Sequence, residues 1–432
     1  MTTKLGLPTP GEMLSPLAVQ KRTVRLTGWR LALALSSLVA LLSVVRIITG
    51  AQELDSAGTI AAAIGFAIPL GMAGLGGLWS ERSGVVNIGL EGMMILGTWG
   101  AGWAGTYYGP WWGLLAGVVF GAIGGLVHAV ATVTFAVDQI VSGVAINLLG
   151  LGVTQYLSTL AFPTQPTQSP QIAPISTFTF PTMPDWIPLI GGDSFTDWCA
   201  SIASNGWFFV SDVASILRAI TYDVPYTTFI AVLLLPVTFY LLWRTAFGLR
   251  LRSCGEAPYA AESLGVNVYL HKYVAVIVSG GLAGFGGAVL ATVLSGIYRE
   301  GQTQGQGFIG LAAMIFGNWR VGGLASGSLL FGYTQAMQLR SGEAVHALLL
   351  VITIGLVLFA MWKAYRREVT PAVGSVLIAA AVFLWYRSTD VLPDQVAYVT
   401  PYVATLLVLS LASQRLRMPA ADGRPYIKGQ EH

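Results

Sequence analysis

The sequence predicts an all-α, polytopic integral membrane protein: a ten-helix core of two inverted halves plus an extra helical hairpin. Three observations predict it. Apolar residues make up 54% of the chain and charged ones only 10%, where a soluble domain carries about 25%. The apolar residues fall into runs of about 20, the length that crosses a hydrocarbon core. Glycine-rich stretches from the first half return in the same order in the second.

The long runs cover residues 29–50, 58–79, 85–105, 111–137, 139–160, 225–243, 272–297, 321–339, 344–362, 371–386 and 396–413. A further run, 308–318, is too short to cross alone and reads as a half-helix entered through the Gly/Gln stretch 301–307. That gives twelve crossings. About 28 mostly polar residues precede the first run, and that run is too long for a cleavable signal, so none is expected.

Basic residues in short loops set the orientation. Lys4, Lys21, Arg22, Arg25 and Arg30 lie before or at the first run, and Arg244, Arg250, Arg252 and Lys272 follow residue 243. Lys363, Arg366 and Arg367 follow residue 362, and Arg415, Arg417, Arg424 and Lys428 lie in the tail. The twelve-crossing count puts all four groups, and both termini, in the cytoplasm. Segment 161–224 then lies outside, with Asp185, Asp193, Asp197, Asp212 and Asp223 against Arg218. Tyr107, Tyr108, Trp111 and Trp112 form an interfacial belt at another external turn. Cys199 and Cys254 fall on opposite sides, so no disulfide is implied.

The repeat pairs Ala73-Gly74-Leu75-Gly76-Gly77 with Ala283-Gly284-Phe285-Gly286-Gly287. Met94-Ile95-Leu96-Gly97 pairs with Met314-Ile315-Phe316-Gly317, and Phe120-Gly121 with Phe331-Gly332. On the predicted topology the copies run oppositely, a transporter device that lets one protein face either side in turn.

Polar residues inside apolar runs mark candidate sites. Asn87 and Glu91 are four apart, so they are expected to share a helical face. Glu91 reads as part of a substrate pathway or of a packing network; Glu81 and Arg82 read as functional or as ordinary interfacial charges. Gln139, Gly143 and Asn147 form one stripe that either lines an aqueous path or packs helices by hydrogen bonding. Gly117, Gly121 and Gly125, with Gly280 and Gly284, are small-residue faces for close helix packing. His128 reads as a packed polar residue. Loop 248–267 has helix-forming content from Pro258 to Leu264, with Gly265 as a stop.

The run from Leu78 to Gly92, LWSERSGVVNIGLEG, resembles the signature of nucleoside-import ABC permeases, a branch of the ribose and branched-chain amino-acid permease superfamily. The stretches beginning Asp138-Gln139-Ile140, Gly307-Phe308-Ile309 and Pro401-Tyr402-Val403 agree, as do Pro419-Ala420-Ala421 and Gly423-Arg424-Pro425-Tyr426. The resemblance covers most of the chain from about residue 60. It implies that loop 244–271 is a cytoplasmic coupling element, with Arg250, Arg252, Gly255, Glu256, Ala261 and Gly265 at the family's pattern positions. It also implies an ATPase with two nucleotide-binding halves, a second, non-identical permease forming a heterodimer, and an extracytoplasmic binding lipoprotein. A bacterial inner-membrane location is implied too. Two features depart from the pattern: the hairpin at about 344–390 and the length of segment 161–224.

The expected layout is an N-terminal arm at 1–28, a first transmembrane half at 29–243, the coupling loop at 244–271, a second half at 272–414 and a tail at 415–432. No phosphate loop occurs, so ATP and its Mg are expected to be used by the partner, with no cofactor, catalytic residue or metal site on this chain. The scattered basic residues give no nucleic-acid face, and lipid surrounds the spans. The expected function is inward movement of a nucleoside by alternating access. The alternatives are ribose-type sugars or branched-chain amino acids as cargo, or a secondary transporter or channel that needs no ATPase.

Overall fold

A computed structural model describes residues 28–179, 195–340, 342–389, 392, 399 and 416–429. The basic arm with Lys4, Lys21, Arg22 and Arg25, the apolar run 396–413 apart from Val399, the Pro401 stretch, Arg415, Asp185 and Asp193 lie outside the described residues.

Each remaining apolar run is helical over most of its length. In chain order the helices are α1 (Gly28–Thr49), α2 (Ala57–Arg82), α3 (Leu90–Tyr108), α4 (Pro110–Ala129) and α5 (Gln139–Ala161). Next come α6 (Phe195–Ser204), α7 (Val210–Thr221), α8 (Tyr226–Arg244), α9 (Ala246–Glu256) and α10 (Pro258–Ser263). The chain continues through α11 (Val268–Val289), α12 (Gln306–Phe316), α13 (Val321–Gln338), α14 (Gly342–Tyr365) and α15 (Val369–Ser388). Among the described residues, seven helices are long and apolar enough to cross a membrane. The protein is an all-α, multi-pass membrane protein.

Caps explain several boundaries. The Asp138 carboxylate accepts the Ile140 and Val141 N–H groups at the start of α5, and Asn267 does the same for Leu270 in α11. α4 and α11 each end in a π-helical turn, Val130–Thr134 and Leu290–Leu294.

The two copies of the repeat exchange partners. α4 of the first packs along α11 of the second, and α13 of the second along α2 of the first. A Cβ on Gly121 would stand 2.3 Å from the Gly280 carbonyl oxygen, and one on Gly332 2.4 Å from that of Ala63. Gly117, Gly125, Gly280 and Gly284 line the same α4–α11 seam. With no side chains there, backbones meet and dispersion contacts replace the hydrophobic drive that lipid cannot supply.

One expectation is corrected. Residues 83–89 are not helical, so Asn87 and Glu91 share no helical face. Gly84 at φ +82° breaks the chain after α2, and polar side chains from α4 and α5 hold the break open. Segment 161–224 carries elements of its own. It contains α6, α7 and the strand Thr177–Phe178 (β1), which pairs antiparallel with Val224–Pro225 (β2).

α7 is tied to α1 by a buried ion pair. Arg46 lies 3.0 Å from Asp212 and 3.4 Å from Asp55, and Ser43 donates to Asp212. The hairpin α14–α15 packs against α1 and the turn Gln52–Leu54 that follows it, through Val45, Leu54 and Val345.

Candidate functional site

Two helix breaks meet inside the bundle. α12 has 11 residues, about 16 Å at 1.5 Å per residue, roughly half the hydrocarbon core. Its N-terminus points at Glu91 in the first turn of α3. The Glu91 carboxylate accepts Thr303 Oγ1–H at 2.6 Å, the Gly305 N–H at 2.9 Å and the Gly307 N–H at 2.7 Å. A carboxylate at a helix N-terminus satisfies orphan amides and favours the helix dipole. Gly307 is obligatory: a Cβ there would stand 2.6 Å from the Glu91 backbone.

The break before α3 is clasped from the side. Gln139 Oε1 accepts the Val86 N–H at 2.6 Å. Asn147 donates to the Ile88 carbonyl at 3.1 Å and accepts the Gly92 N–H at 2.7 Å. Gly143 sits between them, where a Cβ would meet the Gly89 amide nitrogen at 2.9 Å. His128 bridges the Val86 carbonyl and Ser142 Oγ. The stripe on α5 thus supplies the partners that backbone in residues 83–92 would otherwise lack in lipid. Asn87 donates to Ser279 Oγ at 2.9 Å, while its Oδ1, fully buried, has no hydrogen-bond partner.

At the far end of α2 lies a second cluster. Arg82 donates to the Trp319 carbonyl at 2.5 Å, and the Trp319 indole N–H donates to Glu81 at 2.5 Å. Asn318 and Trp319 both have positive φ, 54° and 52°, a conformation that costs energy for non-glycine residues and persists only where surroundings impose it. Arg82 and Arg252 both lie against the Trp243 ring.

Loop 244–271 builds onto this cluster as two short helices, α9 and α10, where sequence suggested one. Gly265, at φ +82°, follows the end of α10. The pattern residues divide by exposure. Arg252 donates to the Leu242 carbonyl at 2.9 Å, Gly255 packs on the Arg82 carbonyl with room for no Cβ, and Ala261 is buried. Arg250, Glu256 and Gly265 are exposed, as is Leu264, at 84%.

The C-terminal segment, read from sequence as a plain tail, is a strap over this loop. The Ala421 N–H donates to the Gly255 carbonyl at 2.9 Å, the Ala420 N–H to Glu256 at 3.2 Å and the Arg417 N–H to Asn318 at 2.7 Å. Tyr426 is buried between Tyr259 and Tyr269. Asp422 is buried beside Glu81. Burial pushes its pKa up to about 7, against the opposing pull of its hydrogen bond to Glu81 and of Lys272 and Arg82. Beneath the strap, burial pushes the Cys254 thiol up to about 11. The sequence signal that could have found the strap was the tight Pro419–Tyr426 stretch itself.

Comparison with known proteins adds identity to this geometry. Residues 59–361 match the family described as branched-chain amino acid transport system / permease component. The chain is 33% identical to the guanosine ABC transporter permease protein NupQ of Bacillus subtilis, over 86% of this chain and 97% of that one. It is 31% identical to the nucleoside ABC transporter permease protein NupC of Lactococcus lactis, over 84% and 95%. It is 32% identical to the putative glucose ABC transporter permease protein TsgC13 of Haloferax volcanii, over 66% and 78%. No solved structure matches. A chain matched across its membrane core, and aligned nearly end to end with two permease subunits, belongs to the branched-chain amino acid transport system permease family and is a membrane component of an ABC transporter.

Proposed function

We propose that this chain is the membrane-spanning subunit of an ATP-driven importer of nucleosides, located in a bacterial inner membrane with both termini in the cytoplasm. Cargo rests on one observation: the two relatives aligned over nearly their full lengths carry guanosine or nucleoside in their names. ATP and Mg are used by a separate ATPase with two nucleotide-binding halves. A second, non-identical permease completes the pathway, and a binding lipoprotein delivers cargo to the side carrying α6 and α7.

The exposed tip of α9–α10, with Arg250, Glu256 and Leu264, is the surface offered to the ATPase. Gly255 packs that tip on the end of α2 and Arg252 ties it to α8, so a push on it reaches the break before α3 as a rigid-body shift. Asn87, Glu91, Gln139 and Asn147 shape the two breaks next to the pathway. Among them, Asn87 Oδ1 is a buried acceptor without a partner, which a movement of the break would bring to cargo.

Uptake of labelled guanosine into vesicles holding the assembled complex tests the reading, with glucose, ribose and leucine as competitors. Guanosine uptake that requires ATP supports it. Uptake that persists without the ATPase would favour a secondary transporter. Sugar uptake would favour the second reading, for which the glucose permease relative is the specific observation.

A further inference from the structure

We infer that the α14–α15 hairpin carries a binding site for one anionic phospholipid, its acyl chain in the groove between the two helices and its phosphate on the turn that joins them. The groove has a volume of about 440 Å³ and is lined by apolar side chains, among them Val357, Ala360, Ala364, Ala372 and Val376. The alanines leave the space that larger residues would fill. On α15 the lining runs from Val369 to Leu377, about 12 Å along the axis, close to the roughly 15 Å of one leaflet.

The groove ends at a basic turn. Residues 363–368 hold Lys363, Arg366 and Arg367 against the single acid Glu368. Lys363 is paired with that acid at 2.5 Å, which leaves the exposed guanidinium groups of Arg366 and Arg367 as the turn's excess positive charge. The turn is fixed rather than loose. Arg367 has φ +60°, its N–H donates to the Ala364 carbonyl at 2.8 Å, and the Glu368 N–H donates to the Lys363 carbonyl at 3.0 Å. Arg366 lies 4.6 Å above the half-exposed ring of Trp362, a residue type enriched at headgroup depth.

The turn also sits on the right side. α13 starts beside Trp319 at the coupling cluster and ends near Arg340, which approaches Gly58 at the start of α2. α14 starts at that opposite end, packed on Leu54, and returns. Residues 363–368 therefore lie at the end of the bundle that carries α9 and α10. An apolar slot one leaflet deep, closed by fixed positive charge at its mouth, is complementary to an anionic lipid. A neutral helix from a partner would leave the arginines unmatched.

The test uses the full chain in its complex, stripped of lipid and offered equimolar phosphatidylglycerol and phosphatidylcholine of identical acyl chains. Native mass spectrometry then counts the retained lipid. The expected result is at least about a fivefold preference for phosphatidylglycerol, from roughly one kcal/mol per basic residue. Arg366→Glu with Arg367→Glu should abolish the preference, and Ala372→Trp should expel both lipids, with unchanged melting temperature for the arginine variant because those side chains are exposed. Equal retention of the two lipids, or a preference that survives the double substitution, overturns the proposal. So does a crosslink that places a partner chain in the groove at position 372.

Discussion

Glu91 accepts the Gly307 N–H at 2.7 Å across 216 positions of sequence, joining the first turn of α3 to the first turn of α12. One carboxylate therefore closes two helix breaks. Glu91→Gln keeps the size but turns an amide N–H₂ toward donors. We expect a loss of about 1.5–3 kcal/mol, typical of a hydrogen bond to a charged group. Thermal unfolding in detergent measures it, and uptake should fall in parallel. Gly307→Ala should be at least as damaging, because its Cβ has no room.

The α4–α11 seam gives a graded series. A Cβ on Gly284 would stand 2.3 Å from the Gly117 carbonyl oxygen, whereas Gly152 on α5 has nothing within 4 Å. Gly284→Ala should destabilise by about 1–3 kcal/mol, as overpacking does. Gly152→Ala should fall within about 0.5 kcal/mol of wild type. The pair is compared by melting temperature at equal expression, and similar values for the two would refute backbone contact at the seam.

Removing the Arg46–Asp212 partnership should be costly in one direction only. Asp212→Ala leaves a buried guanidinium whose remaining acidic partner is Asp55 at 3.4 Å, with an expected loss of about 3–5 kcal/mol. Replacing Arg46, Asp55 and Asp212 together by apolar residues should recover most of it. Proteolysis of segment 161–224 reports the release of α7.

The strap should respond to pH through Asp422. Its pKa stands near 7 when docked, against an ordinary value of 3.8. The docked state therefore binds more protons between these values. Docking should weaken as pH rises from about 4 to about 7 and level off above. Chymotryptic cleavage after Tyr426, which is buried when docked, reads the undocked fraction, and Asp422→Asn should flatten the profile. Tyr426→Ala removes the buried ring, a change worth about 3–5 kcal/mol in a core. It should cut uptake while leaving membrane insertion intact.

Leu264 tests the coupling surface separately from the strap. It is 84% exposed and buries little, so Leu264→Glu should leave melting unchanged while the ATPase no longer co-purifies. Retention of the ATPase by this variant would place the contact elsewhere.

Much of this was legible in the amino-acid order. Lipid forces every backbone group to be satisfied within the chain, so a long apolar run becomes a helix whatever its neighbours. The described runs and the hairpin therefore followed from composition and length. Gly265 after Pro258–Ser263 was legible too, because left-handed backbone selects glycine. The ordered glycines announced close packing but not which helices would meet, since a glycine carries no record of its partner. Only the tertiary structure decided that α4 lies on α11 and α13 on α2. It also decided that Gln139 and Asn147 hold the break at residues 83–92, that Glu91 caps α12, and that the tail straps the coupling loop. Each of these is a hydrogen bond or contact between residues far apart in sequence, and local periodicity cannot encode such a partner.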